Sequence, residues 1–390
     1  MSEHHHAPPV PVPPAVRVRA RRVFAAILLP ALAATLWGAW VLWPFQQPPR
    51  LETTAPGTTI RVVTVTAVDR DADVGHEVAA ERADGAGITV SVPPEYLDEV
   101  GPGDRLRVVD LGADDAYADL GTPYVFLDFV RGPPLAALAV VFAVLVVAVA
   151  RWRGFAALAG LGVALTVLGA FTLPALLEGR PALPVALVSA SAIMFVVLYL
   201  AHGFTLRTST ALVGTLVGLV LTAGIAAWAS GAAHLTGLSD EYALDLRNVA
   251  PGLSLSAVLV CGMVLAGMGV LNDVTITQAS AVWELQTADP GASRRDLFAR
   301  GMRIGRDHIA STVYTIAFAY IGAALPLVLL VSISDRGLLE SLSSGELAEE
   351  VARTLVGSIG LVLAIPVTTA IAALVVHRRA DVPPEPAQAG

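Results

Sequence analysis

The chain has 390 residues, of which 55% are hydrophobic and only 15% are charged, with a formal net charge of −8. Soluble domains are nearer one-quarter charged, so this composition indicates a membrane protein. All 25 basic residues are arginine, which excludes a P-loop nucleotide site and Schiff-base lysine chemistry, and the single cysteine, Cys261, excludes an intrachain disulfide and a multi-cysteine metal site.

Apolar runs long enough to cross a hydrocarbon core of about 30 Å recur along the chain. They predict an all-α polytopic membrane bundle of eight spans. The spans are Val23–Trp43, Pro134–Ala150, Phe155–Leu177, Leu183–Ala201, Thr210–Ala229, Leu253–Val282, Ile309–Val331 and Leu355–Val376. Residues 23–43 thus form span 1, and residues 132–376 form a seven-span membrane domain. Residues 1–22 are predicted to be a disordered cytoplasmic tail, and residues 377–390 a second cytoplasmic tail.

The arginines predict the orientation of these spans. With cytoplasmic termini, fourteen arginines lie on the inner side and only four lie in the short outer loops. Loops on the cytoplasmic side of a membrane carry an excess of basic residues. We therefore predict a multi-pass plasma-membrane protein whose N- and C-termini are both cytoplasmic.

One small domain, residues 44–131, lies between spans 1 and 2 and is predicted to be extracytoplasmic. Short alternating runs at Ile60–Val68, Ile88–Val92 and Arg105–Val109 are typical of β-strands. At this length a β-domain is expected, with an OB-type barrel as one candidate. The domain has 16 acidic residues against 7 arginines. This acidity argues against nucleic acid as a partner.

The sixth span carries the strongest functional signal. Its helical pattern continues from Leu253 to Glu284, which exceeds the thickness of the hydrocarbon core. Small and polar residues recur on it at steps of three and four: Gly262, Ala266, Gly269, Asp273, Thr277, Ser280 and Glu284. An aspartate inside a bilayer costs on the order of 3 kcal/mol and is seldom present without a function. Two interpretations of Asp273 remain open, a buried proton carrier and a solvated residue at the cytoplasmic interface.

Arg306, at the start of the seventh span, is the natural partner of Asp273. An arginine facing the carboxylate would keep it charged, and an arginine turned away would let it take a proton. The pair is therefore a candidate proton relay, although Arg306 also fits the positive-inside rule by itself. We regard Asn272, Thr277, Ser280 and Glu284 as a supporting polar face. Asp307 and His308 are reserve candidates, since histidine titrates near neutrality.

Residues 284–305 are predicted to form a cytoplasmic amphipathic linker. Ser293 and Asp296 have the spacing of a capping box and open a short basic helix, Arg294–Arg303, which we expect to lie along the inner membrane surface. Small residues elsewhere favour close helix packing, as in Gly214-x3-Gly218. Neither a metal-binding motif nor a hydrolase motif is present, so no enzyme activity, cofactor or metal is predicted.

The chain resembles the YibE/F family, from the β-domain to the eighth span. The resemblance is clearest at Leu200–Gly203, Gly214–Leu216, Gly267–Thr275, Ala319–Gly322 with Leu325–Pro326, and Gly357–Gly360 with Ile365–Pro366. It implies a bacterial multispanning membrane protein of permease type.

A more distant similarity is to SecF and the resistance–nodulation–division permease superfamily. It rests on Leu271–Asp273, on Arg306 and on Arg151–Ala156. It implies proton transport by Asp273 and Arg306. A half-superfamily bundle also implies a homodimer or a sister membrane subunit. We therefore expect a proton-coupled transporter or exporter, and the alternative is a non-transporting scaffold or envelope sensor whose outer β-domain binds a ligand or partner.

Overall fold

The computed structural model describes residues 14–46, 57–68, 77–112, 122–239, 242–335 and 337–376. The chain divides into two compact units: residues 50–149, and the two stretches 1–49 and 150–390. The first unit contains a β-barrel and the second a helical bundle. The predictions for residues 1–13 and 377–390 lie outside the described residues.

Five strands close into a small barrel in the order β1-β2-β3-β5-β4. The strands are β1 Thr59–Val68, β2 Glu77–Arg82, β3 Gly87–Ser91, β4 Arg105–Asp110 and β5 Tyr124–Phe129, with the short helix α2 Pro94–Leu97 after β3. Every pairing is antiparallel except that of β3 with β5. Alternate residues of β2 and β4, such as Val78 and Leu106, are buried, because successive side chains of a strand point to opposite faces. The predicted β-domain is confirmed as a small barrel, and its OB type stays a prediction.

Long apolar helices make up most of the rest. The helices are α1 Pro14–Val41, α3 Gly132–Val167, α4 Leu173–Leu177, α5 Ala182–His202, α6 Leu206–Ala232, α7 Ala243–Val249, α8 Leu255–Ala288, α9 Arg294–Ala323, α10 Leu325–Ser332, α11 Leu338–Leu342 and α12 Gly345–Val375. A five-residue π-helix, Leu168–Thr172, joins α3 to α4. Because α1 begins at Pro14, residues 14–22 of the predicted disordered tail are helical.

Six stretches of helix in the described residues are long and apolar enough to cross a membrane, or seven if α9 and α10 together form one bent span. The stretch Gly132–Leu177 counts once among them, although its 46 residues exceed one crossing. The sequence divides it into two spans at Arg151, where the backbone is non-helical with φ 53° and ψ −130°. A polytopic helical bundle is thus supported, and the number of eight spans stays a prediction.

Glycines let the central helices α6, α8 and α12 approach closely. A Cβ added at Gly218 of α6 would lie 2.8 Å from Leu271 Cδ2 of α8 and 3.3 Å from Ala364 Cβ of α12. A Cβ at Gly214 would collide with the Thr368 side chain of α12. These contacts agree with the close packing that Gly214-x3-Gly218 predicts, since small residues let helices pack backbone to backbone.

The chain between α8 and α9 differs from the prediction. Helix α8 ends at Ala288 and α9 starts at Arg294, so the loop has only five residues and no separate surface helix precedes the seventh span. The predicted capping box is present, since Asp296 N donates to Ser293 Oγ and Ser293 N to the Asp296 carboxylate. The linker was predicted too long because the basic residues of α9 look interfacial, whereas its opposite face packs into the bundle.

The predicted seventh span, Ile309–Val331, is also not one straight helix. The chain bends by 75° between α9 and α10. Pro326 stands in the first turn of α10, where a missing amide hydrogen is tolerated. Proline disfavours continuation of the preceding helix, because its ring clashes with the preceding turn, and this accounts for the bend.

Candidate functional site

Helix α8 presents two different faces. Its buried side chains include Leu271, Val274 and Gln278, which pack toward α6, α9 and α12. The predicted small and polar stripe lies on the more exposed face, where Gly269 and Asp273 are exposed. A Cβ added at Gly262 or Gly269 would meet no atom within 4 Å. Within the described part of the chain, these two glycines of the stripe therefore pack against no other helix.

Asp273 of α8 lies beside His308 of α9. The distance from Asp273 Oδ2 to His308 Nε2 is 3.8 Å, which is too long for a hydrogen bond but within the range of an ion pair when the imidazole is protonated. The Asp273 side chain is 69% exposed, whereas that of His308 is 27% exposed. The carboxylate is thus reachable from one side and adjacent to a titratable base on the other.

Arg306 does not contact Asp273. It is exposed, and the ion pairs of the described residues include none between Arg306 and Asp273. Residues two apart on a helix do not face each other, so the turn of α9 that brings His308 to Asp273 directs Arg306 elsewhere. Asp307 is exposed as well. The pairing predicted for Arg306 is absent from the structure, and the reserve candidate His308 occupies its place.

Two atoms at this site lack the hydrogen bonds that their burial demands. His308 Nε2 and Asn272 Oδ1 are both buried, and neither has a partner among the described residues. Buried polar atoms in folded proteins are nearly always hydrogen-bonded, so each exception needs an explanation. His308 Nε2 is also the ring atom nearest Asp273. A small closing movement would let this nitrogen donate to the carboxylate.

The helix contacts around the pair are close and specific. Gln278 Nε2 donates to Gly301 O at 2.7 Å, which joins α8 to α9 inside the bundle. A Cβ added at Gly305 would lie 2.6 Å from Ile365 Cγ2 of α12, so α9 also packs tightly there. His308 follows Gly305 by three residues, which places both on neighbouring parts of one face. The packed first half of α9 therefore positions His308.

A second set of polar contacts lies behind Asp273 in the bundle interior. The buried hydroxyls of Thr215 on α6 and Thr275 on α8 are 2.7 Å apart. The Thr275 hydroxyl is also 3.3 Å from the carbonyl of Asn272, so its single hydrogen is shared between this carbonyl and Thr215. These contacts connect α8 to α6 at the turn that contains Asn272 and Thr275.

The remaining predicted residues form no compact cluster with the pair. Thr277, Ser280 and Glu284 follow Asp273 on α8 by about one, two and three helical turns. Thr277 and Ser280 are half-buried, and Glu284 is exposed. In the ranges that the structure describes, no group of three or more histidine, cysteine, aspartate or glutamate side chains could hold a metal ion.

The sequence did contain a signal for His308. Gly301, Gly305 and His308 fall at i, i+4 and i+7, which is the spacing of one helix face. Two glycines on that face indicate close packing, and His308 extends it whereas Arg306 does not. The arginine was preferred because its charge gave the simpler partner for an aspartate.

Comparison with known proteins places this region within a family. The family model described as YibE/F-like protein matches residues 138–378, which include all of α8 and α9. The match begins after the barrel, so the resemblance that we extended to the β-domain is supported for the membrane part alone. No curated protein and no solved structure matches the chain. The similarity to SecF stays a prediction.

Proposed function

The chain belongs to the YibE/F-like protein family, and we propose that it is a proton-coupled transporter or exporter of the bacterial plasma membrane. The observation that carries this proposal is the pair formed by Asp273 and His308. The two side chains come from different helices, lie 3.8 Å apart and include a buried ring nitrogen without a hydrogen-bond partner among the described residues. Ionisable residues on membrane helices are costly, and they commonly mark proton pathways.

In the proposed cycle, protonation changes the contact between α8 and α9. A protonated His308 donates to the Asp273 carboxylate and draws the two helices together. Loss of the proton removes the attraction and leaves a carboxylate facing open space. Beyond Gly305, α9 has a single buried side chain, Ile316, in its described part, so this half of the helix has few contacts that oppose movement.

Arg306 has a different place in this cycle from the one first predicted. We propose that it holds Asp273 charged in a second state, in which α9 has turned. Arg306 is exposed and therefore free to change its surroundings. A chain that cycles between two pairings needs both His308 and Arg306, whereas a static ion pair needs only one of them.

We further propose an eight-span topology with both termini cytoplasmic, and assembly as a homodimer or with a sister subunit. The open stripe of α8 supports a partner, since small residues such as Gly262 and Gly269 are typical of membrane helix interfaces. A second helix on this stripe would also reduce the exposure of Asp273. Among the described residues of a single chain, the Asp273 side chain has no such cover.

The test is proton flux in proteoliposomes that contain the full chain. An imposed pH gradient should dissipate with the wild-type protein, and Asp273→Asn and His308→Gln should each slow the dissipation by about 100-fold, the usual scale for loss of a positioned proton-transfer group. Asp307→Asn is the matched control, because it removes an exposed carboxylate next to His308. Equal fluxes for all four proteins would refute the relay.

The barrel favours a second candidate function. It is a separate compact unit and lies outside the matched residues 138–378. A scaffold or envelope sensor would bind its ligand there and use the helices only as an anchor. This candidate predicts no flux above that of empty liposomes, and no effect of Asp273→Asn on any activity of the protein.

A further inference from the structure

A cavity of about 900 Å³ opens between α1 and the helices α5, α6, α8 and α12. Its wall along α1 is apolar, with Phe24 and Leu28 buried and Leu32 half-buried. Trp283 of α8 and Val376 after α12 complete it on the other side. Ligand sites commonly range from about 300 to 1,000 Å³, so this cavity is large enough for a ligand with both a head and an apolar tail.

The cavity is positively charged at one end. Arg21 of α1 and Arg207 of α6 line it, and no aspartate or glutamate does. Neither arginine forms an ion pair with any residue that the structure describes. Arg207 stands in the first turn of α6, where Thr205 accepts a hydrogen bond from Thr208 N at 3.0 Å. The positive end of the α6 dipole adds to the two guanidinium charges.

Charge and apolar surface follow one another along α1. Leu28 and Leu32 lie seven and eleven residues after Arg21, or about 10 and 16 Å deeper along the helix. The arginine distribution predicts that the Arg21 end is cytoplasmic. The cavity therefore has its cationic rim at the inner membrane surface and its apolar wall at the depth of the acyl chains.

We propose that this cavity binds one anionic phospholipid of the inner leaflet. Its phosphate lies between Arg21 and Arg207, and an acyl chain runs along Phe24, Leu28 and Leu32. Basic pockets between membrane helices on the cytoplasmic side are known recognition sites for anionic headgroups. The site is independent of the proposed proton transport, since neither Asp273 nor His308 lines the cavity.

The contribution of the two arginines to lipid binding is tested by native mass spectrometry. The delipidated full chain in detergent is titrated with phosphatidylglycerol or with phosphatidylcholine. The wild type should bind one phosphatidylglycerol on the order of 30-fold more tightly than phosphatidylcholine, because each basic residue near an anionic headgroup contributes about fivefold. The double variant Arg21→Gln/Arg207→Gln should lose this preference. Arg22→Gln is the matched control, since Arg22 is exposed and does not line the cavity. An unchanged preference in the double variant would overturn the proposal.

The apolar wall is tested by filling it. Ala25→Trp places an indole in the cavity and should abolish lipid binding. Ala26→Trp, at an exposed position outside the lining, should leave lipid binding unchanged. The unfolding temperature of both variants should match that of the wild type. Equal lipid binding by both variants would refute the site, as would displacement of the lipid by millimolar inorganic phosphate. Residues 377–390 start directly after Val376, so a gain of lipid on their removal would identify them as the occupant instead.

Discussion

The two faces of α8 carry similar residues and have opposite surroundings. On the packed face, a Cβ added at Gly267 would lie 3.1 Å from Thr222 Cγ2, and Leu271 is fully buried. On the open face, Gly262 and Gly269 have free space around them and Asp273 is exposed. Both faces contain glycine and polar side chains. The residue types of a stripe therefore do not decide which face packs, and the shape of the neighbouring helices does.

This difference separates stability from chemistry along one helix. We expect the packed face to determine whether the bundle folds, and the open face to determine what the folded protein does. Substitutions that place the same change on each face can test the separation.

The largest effect is expected from Gly267→Leu. A leucine there must displace Thr222 of α6, and overpacking of a close contact costs about 3 kcal/mol. Gly262→Leu is the matched control on the open face and should leave the free energy of unfolding of the monomer within about 0.5 kcal/mol of the wild type. Unfolding in mixed micelles measures both. Equal destabilisation by the two variants would contradict the assignment of faces.

The second prediction concerns proton flux, which should depend on the open face of α8 and not on the packed face. Asp273→Asn should reduce proton flux by about 100-fold and leave the unfolding temperature unchanged, because the side chain is exposed and makes few contacts. Gln278→Leu should do the opposite. It removes the bond to Gly301 O, a carbonyl that still accepts within helix α9, at a cost of about 1 kcal/mol, while flux per folded molecule is retained. If Gln278→Leu stops flux and Asp273→Asn does not, the assignment of the relay to the open face is wrong.

Much of this architecture was predictable from the sequence. The lengths of the apolar runs predict the long helices. The capping-box spacing of Ser293 and Asp296 predicts the start of α9. Strand β2, Glu77–Arg82, was missed because its buried positions are Val78 and alanine, which give a weak alternation. The position of the break near Pro326 was predictable, because proline disfavours a continuous helix. Its angle of 75° depends on packing between helices, which the sequence of one helix does not reveal.

The site was less predictable, for a physical reason. The stripe through Asp273 was found from its spacing, but spacing cannot tell a packed face from an open one. Choosing between Arg306 and His308 requires the rotation of α9. That rotation is fixed by Gly301 and Gly305 against α12, which are contacts between residues more than 50 positions apart.

A smaller effect is expected for assembly. If a second copy covers the open stripe, Gly269→Leu should weaken the dimer by about tenfold, since a large side chain keeps the two helices apart. The folded monomer should remain, because Gly269 has open space within its own chain. Light scattering of the protein in detergent across a concentration series measures the shift. Ala281→Leu, at a half-buried position beyond the glycine part of the stripe, is the control and should leave the dimer unchanged.

The smallest effect concerns two threonines on opposite faces of α8. Thr275→Val removes the 2.7 Å hydroxyl contact with Thr215 and should lower the free energy of unfolding by about 0.6–1 kcal/mol, as is usual for hydrogen bonds between membrane helices. Thr215 still donates to Ala211 O, so no buried hydroxyl is left unpaired and the loss stays small. Thr277→Val makes the same change on the half-buried, predicted polar face and should cost less than half as much. A larger loss from Thr277→Val would mean that this face is packed in the assembled protein, and that the partner proposed for the stripe contributes to its stability.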